Sequence, residues 1–146
     1  MTDFTIRAEN MDEVKAALRK YGRDAERAIG GAVMASALSI DRDAKKRIQR
    51  GPKTGRVYQL SNPTRTHQSS APGQSPATDT GGLVSAQTVK QGPNKLTAHI
   101  DNTKEAAKHL EGGTQRMAPR PFMAPAVEAK KSEFARRVAD AIRGLQ

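Results

Sequence analysis

The sequence holds 146 residues, one domain's worth, and its 36% hydrophobic content includes only two Tyr and three Phe, which limits it to a modest core. Lys and Arg outnumber Asp and Glu by 25 to 15, a formal charge of +10 with a pI near 10.3, so polyanions or acidic protein surfaces are the expected neighbours. The absence of Cys excludes disulfides, thiolate zinc sites and cysteine nucleophiles, and the longest apolar run, Ala32 to Ile40, is broken by Ser36 and Ser39, far short of the ~20 residues of a membrane span.

The first ten residues, MTDFTIRAEN, lack a basic start followed by an apolar stretch, so no secretory signal is expected. Phe4 and Ile6 alternate with Asp3, Thr5 and Arg7, which predicts a strand over residues 3 to 8 with one buried face. Asn10 with Glu13 has the form of a capping box, after which Met11, Val14, Leu18 and Tyr21 share a helical face and Gly22 supplies the stop. From Asp24 to about Arg50 the positions Ala25, Ile29, Val33, Ala37, Ile40, Ala44 and Ile48 step by threes and fours, predicting the longest helix. Gly30 and Gly31 inside it cost about 1 kcal/mol each relative to Ala, which points to a kink or a close helix contact there. Met34 and Leu38 lie off the stripe and form a second contact face, toward the sheet or toward another subunit.

Residues 51 to 82 read differently: 18 of these 32 positions are Gly, Pro, Ser or Thr, and Val57 and Leu60 are the only aliphatic side chains larger than Ala. A long loop of fixed shape or a disordered segment is expected, one that orders when a neighbour captures it. Beyond it, Leu83 to Lys90 and Leu96 to Asn102 read as a hairpin turning through Gly92, Pro93 and Asn94, with Val84, Ala86 and Thr88 alternating against Leu96, Ala98 and Ile100. Lys104 to Glu111 reads as a short helix ended by Gly112 and Gly113, and Pro119 and Pro121 hold an extended arm. Pro125 opens the last helix, with Val127, Phe134, Val138, Ala141, Ile142 and Leu145 as its stripe and Lys130, Lys131, Arg136 and Arg137 left to solvent. The fold class expected is α+β: a small antiparallel sheet, made of the N-terminal strand plus the hairpin, packed against the long helix and the C-terminal helix in one domain spanning 1 to 146.

Signals for catalysis are sparse. His67, His99 and His109 fall on a loop, a strand and a helix with no metal-site spacing, and neither a nucleophile elbow, a Gly-Lys-Ser/Thr phosphate loop nor an HExxH helix occurs. No catalytic residue, cofactor or metal is expected. The charge is more informative: between Ala44 and Ile100 nine Lys or Arg face one acid, Asp79. One reading brings Lys53, Arg56 and Arg65 near nucleic-acid phosphates without a base-reading motif. The other makes the loop a solubilising element, or one that pairs with an acidic subunit, since Tyr58 is its only stacking partner for single strands.

Two segments carry a resemblance. Ser70-Ala71-Pro72-Gly73-Gln74-Ser75-Pro76-Ala77 with Asp79-Thr80-Gly81-Gly82-Leu83 is followed by His109-Leu110-Glu111-Gly112-Gly113-Thr114 and Met117-Ala118-Pro119-Arg120-Pro121-Phe122-Met123-Ala124-Pro125-Ala126. In that order, they are similar to the tail-completion (neck) proteins of long-tailed bacteriophages. Ala106 and Ala107 stand where that family often has Tyr, and Gly112 where it commonly has Phe. The resemblance implies a non-catalytic virion part, assembled in the host cytoplasm into a six-fold ring where a DNA-filled head joins a tail tube. Its implied partners are further copies of itself, the connector or stopper, the tail terminator or tail tube, and double-stranded DNA passing non-specifically, with no membrane. Pro72, Gly73, Pro76, Thr80, Gly81 and Leu83 would form the inter-subunit loop. Leu110, Glu111, Gly113, Thr114, Pro119, Arg120, Pro121, Phe122 and Pro125 would form the arm and interface. There Glu111 and Arg120 would pair across a subunit boundary to set register, and Phe122 would fill either a neighbour's pocket or this subunit's own core. The alternative is an independent basic nucleic-acid-binding module.

Overall fold

The apolar stripe of the long helix sets the architecture. The computed structural model describes residues 2–6, 11–61 and 64–145. In it α1 (Met11–Tyr21) is followed by α2 (Arg23–Arg50), and all seven expected stripe residues from Ala25 to Ile48 are buried. The turn between them is Gly22, whose φ of 72° is open to glycine and strained for other residues. Asn10 lies outside the described residues, as do the side chains of Met11, Leu18 and Tyr21; Val14 packs on the core. The most extensive packing in the chain joins α2 to α5 (Met123–Arg143), whose Phe134, Val138, Ala141 and Ile142 are partly buried against the shared cluster. Val127 does not join them: it is exposed, and Ala126 takes the buried position because the face turns by one residue.

The sheet has the expected composition. Strands β1 (Thr2–Ile6), β4 (Gln87–Gln91) and β5 (Ala98–Asn102) are antiparallel in the order β1-β5-β4, with Phe4 opposite Ile100 and Ile100 opposite Val89. Ala98 and Ile100 of the central strand are buried in the core cluster. The hairpin differs from expectation at its start. Residues 82–85 form a one-turn helix, α3 (Gly82–Ser85), and the strand begins only at Gln87. This shifts the alternation, so Gln87 and Val89 face inward while Thr88 is exposed. Gln87 makes a buried link to the helix, its Nε2 donating to Asp41 Oδ1 at 2.9 Å, while Lys45 pairs with the same carboxylate at 2.9 Å.

Gly30 explains the glycines of α2. A Cβ at this position would lie 2.7 Å from the Lys95 carbonyl oxygen, so the hairpin turn, rather than another helix, makes the close contact. The helix is continuous through both glycines, and Gly31 faces open space. Met34 packs on the core, whereas Leu38 is exposed.

Residues 51–82 are not structureless. They contain a second sheet of two strands, β2 (Val57–Ser61) and β3 (Thr64–Gln68), paired antiparallel from Val57↔Gln68 to Ser61↔Thr64. Period-two reasoning misses it because most positions on both faces are exposed, so apolar residues mark no inner side. Helix α4 (Glu105–Gly112) matches the expected short helix.

Candidate functional site

Loop and arm, far apart in sequence, are laced together by their own backbone. Beside the β2–β3 hairpin, the Gly55 N–H donates to Ser69 O at 2.8 Å and the Ser69 N–H to Arg56 O at 2.9 Å. Gln74 then closes the loop: its Oε1 accepts the Ala71 and Thr54 N–H groups at 2.8 and 3.2 Å, and its Nε2 donates to Thr54 Oγ1 at 2.8 Å. Two bonds cross to the arm, from the Gly73 N–H to Pro119 O and from Ser75 Oγ to Pro121 O, each 2.9 Å. Pro76 is buried, and Leu83 packs on the core from α3. Gly81, with φ of 77°, takes the left-handed conformation that starts α3, and its N–H donates to Thr78 Oγ1 at 3.1 Å. Pro72 and Thr80 stay exposed.

The arm begins where α4 stops. Gly113 has φ of 73°, and a Cβ there would lie 2.8 Å from Met117 O, so the tight turn in which the Thr114 N–H donates to Met117 O at 2.8 Å admits glycine alone without strain. The Arg120 N–H donates to Leu110 O at 2.7 Å, holding the arm against α4. Glu111 then acts as the missing cap of α5. Its Oε2 accepts the Phe122 and Met123 N–H groups at 2.9 and 3.0 Å, and its Oε1 accepts that of Ala124 at 2.7 Å. Pro125 has no N–H, so the carboxylate satisfies every donor from the cap through the third helical residue and also meets the positive end of the helix dipole. Within this chain Glu111 is thus engaged by the start of α5 and not by Arg120. Phe122 and Met123 are fully buried in this chain's own core.

Together these segments wall a cleft of about 310 Å³. One side is Pro76, Ala77 and Leu83, the other Ala106 and Leu110, with His67, Asp79, Lys104 and Arg120 as its ionisable groups. Asp79 forms an ion pair with Arg65, and His67 Nδ1 lies 3.6 Å away. The hydrogen bond from Arg65 holds the Asp79 carboxyl below the usual carboxylate range, aided by the charges of Arg65 and His67 and opposed by desolvation. The Arg120 guanidinium approaches Met117 Sδ at 3.8 Å through Nη1, and its Nε is buried without a hydrogen-bond partner among the described residues.

Of the three loop cations, Arg65 alone has an acidic partner among the described residues. Arg65 is committed to Asp79, Arg56 stacks over the Tyr58 ring at 5.4 Å from its centroid, and Lys53 is half-buried on the segment before β2. Further positive charge without an acidic partner among the described residues lies on α2. Arg42, Lys46 and Arg50 recur every fourth residue beside a groove of about 570 Å³ and have no acidic partner among the described residues, whereas Lys45 and Arg47 neutralise Asp41 and Asp43. That stripe is readable in the sequence as a four-residue spacing. Lys104, by contrast, is brought to the cleft only by the fold, since no spacing rule joins residue 104 to residue 120. His99 and His109 stand apart from the cleft, and no group of three metal-ligating side chains occurs among the described residues. No helix among them is long and apolar enough to cross a membrane. No family model, curated protein or solved structure matches the chain.

Proposed function

We propose that this protein is a structural, non-catalytic ring component of the neck of a long-tailed phage particle, joining the DNA-filled head to the tail tube and letting DNA pass without sequence preference. One observation carries the reading: the two segments that resemble the tail-completion family meet through the Gly73–Pro119 and Ser75–Pro121 hydrogen bonds and wall one cleft. A loop and arm already held in one shape lose little conformational entropy when a neighbouring copy packs on them, which suits repeated contacts around a ring. The β2–β3 hairpin adds an exposed apolar pair, Val57 and Tyr58, at 58% and 45% exposure. Further copies, a connector or stopper above and a tail terminator or tube below are the partners of this reading. Electron microscopy of purified particles with peptide mass spectrometry tests it. A closed ring of this chain at the head–tail junction is expected; particles lacking the chain, or holding it as single copies, would refute it.

The unpaired stripe of Arg42, Lys46 and Arg50 supports a second reading, an independent nucleic-acid-binding module. Filter binding of duplex DNA across a salt series separates the two. A steep loss of affinity with salt, flattened when the three residues become Ser, favours the module; no measurable binding near physiological salt removes it.

A further inference from the structure

Two cations in the cleft have no counter-charge among the described residues. Arg120 is half-buried, its Nε–H is sealed from water with no acceptor among the described residues, and its only side-chain contact of hydrogen-bond type to them is the long one to a thioether. A buried guanidinium N–H left unmatched costs free energy on the scale of a lost charge-assisted hydrogen bond. Lys104 leans over Gly82, where a Cβ would meet its Cε at 3.6 Å and its Nζ at 3.9 Å, and its ammonium has no acidic partner among the described residues. The acids nearby are already engaged: Asp79 by Arg65 and His67, and Glu111 by the first N–H groups of α5. The rest of the wall is mixed: Pro76, Ala77, Leu83, Ala106 and Leu110 give it an aliphatic part, beside the hydroxyl residues Ser69, Ser70, Thr78 and Thr80.

We propose that this cleft binds a carboxylate carried on a short apolar stem, with Arg120 and Lys104 gripping the head and the aliphatic part of the wall holding the stem. A single negative charge fits better than a phosphate dianion, because the ionised Asp79 forms part of the same wall and repels a second charge. The volume of about 310 Å³ suits a small organic acid or the side chain of one Glu on another polypeptide. The inference does not depend on the neck reading, since it uses only the unmatched cations and the wall.

The test is a nitrogen-15 NMR titration of the full chain at constant ionic strength, following the Arg120 Nε–H. Butyrate serves as the free acid, a capped Ala-Glu-Ala peptide as the polypeptide source, and inorganic phosphate as the control. The Arg120 resonance is expected to shift saturably with butyrate or the peptide, with an apparent Kd on the order of millimolar, the range open to a ligand of about six heavy atoms. Saturation by butyrate assigns a small-acid site; saturation by the peptide alone assigns a docking site for an acidic segment. R120Q and K104M are each expected to weaken binding about tenfold. Should R120Q fail to fold, K104M, at an exposed position, still decides. A shift that never saturates, one that phosphate produces equally, or one that K104M leaves unchanged overturns the proposal.

Discussion

The α2–α5 layer with its sheet and the loop–arm region are stabilised by different forces. In the first, Ile29, Val33, Ile40, Ile48 and Ile100 are buried and interlocked, so the stability is apolar and spread over many contacts. In the second, beside the apolar anchors Leu83, Leu110, Phe122 and Met123, order rests on a few directional bonds: Gln74 to Thr54 and Ala71, Ser75 to Pro121, and Glu111 to three N–H groups. The two modes fail differently. Losing a methyl group from the core weakens everything together, whereas losing one acceptor from the loop–arm region frees a defined stretch of backbone.

The largest expected effect lies where the two regions meet. Phe122 belongs to the arm by sequence and to the core by burial, so Phe122→Ala is expected to cost about 3–5 kcal/mol and to lower the midpoint of denaturant unfolding as a single transition. A smaller loss would mean that the arm is separable from the core. Glu111→Ala comes next, at about 2 kcal/mol, because it strips the acceptor from three helix N–H groups at once. Hydrogen exchange should show those three amides and the arm opening before the rest of α5; uniform loosening of the whole helix would contradict the distinction drawn here.

The smallest effect is electrostatic. Glu133 is held below the usual carboxylate range chiefly by its hydrogen bond from Lys130, aided by the charge of Arg137 and by Ser39 across the α2–α5 contact and opposed by desolvation, and Asp79 is held low by Arg65. Both groups bind protons more weakly folded than unfolded. Their contribution is therefore present above the unfolded carboxylate values of about 4 and is lost as the pH falls through the lowered folded values. Thermal unfolding followed from pH 6 downward should show a modest fall in Tm below about pH 4.5, and the fall should be shallower in the D79N/E133Q double variant. An unchanged slope would detach both pairs from stability.

The same division governs what the sequence makes legible. The α2 stripe reads directly because helical periodicity and burial coincide from Ala25 to Ile48. The sheet is legible as to its members, but the one-turn helix at Gly82–Ser85 moves the inward face of β4 from Ala86 and Thr88 to Gln87 and Val89, and that helix follows from Gly81 and Asn102 rather than from its own apolar pattern. The β2–β3 hairpin carries no buried face and so no period. Of the site, the glycines and prolines of the loop and arm are visible as punctuation. The cap supplied by Glu111 has no local signature, because a capping box requires its carboxylate three residues into the same helix, whereas this one comes from α4. Likewise the placing of Arg120 and Lys104 in one cleft depends on the arm folding back along α4, where the Arg120 N–H reaches Leu110 O, which periodicity does not encode.

The contact at Gly30 bears on how the molecule tolerates change. What presses on the helix is the main-chain oxygen of residue 95, while the side chains of Pro93, Asn94 and Lys95 are exposed. Pro93 and the outer part of the Lys95 side chain are accordingly free to vary in chemistry so long as the path of the chain is kept, Asn94 holds that path through an Oδ1 that accepts from the Leu96 N–H and Thr97 Oγ1, and position 30 admits no added atom without lifting the hairpin off its helical bed. Diversity is permitted on the outer side of that junction and forbidden on the inner.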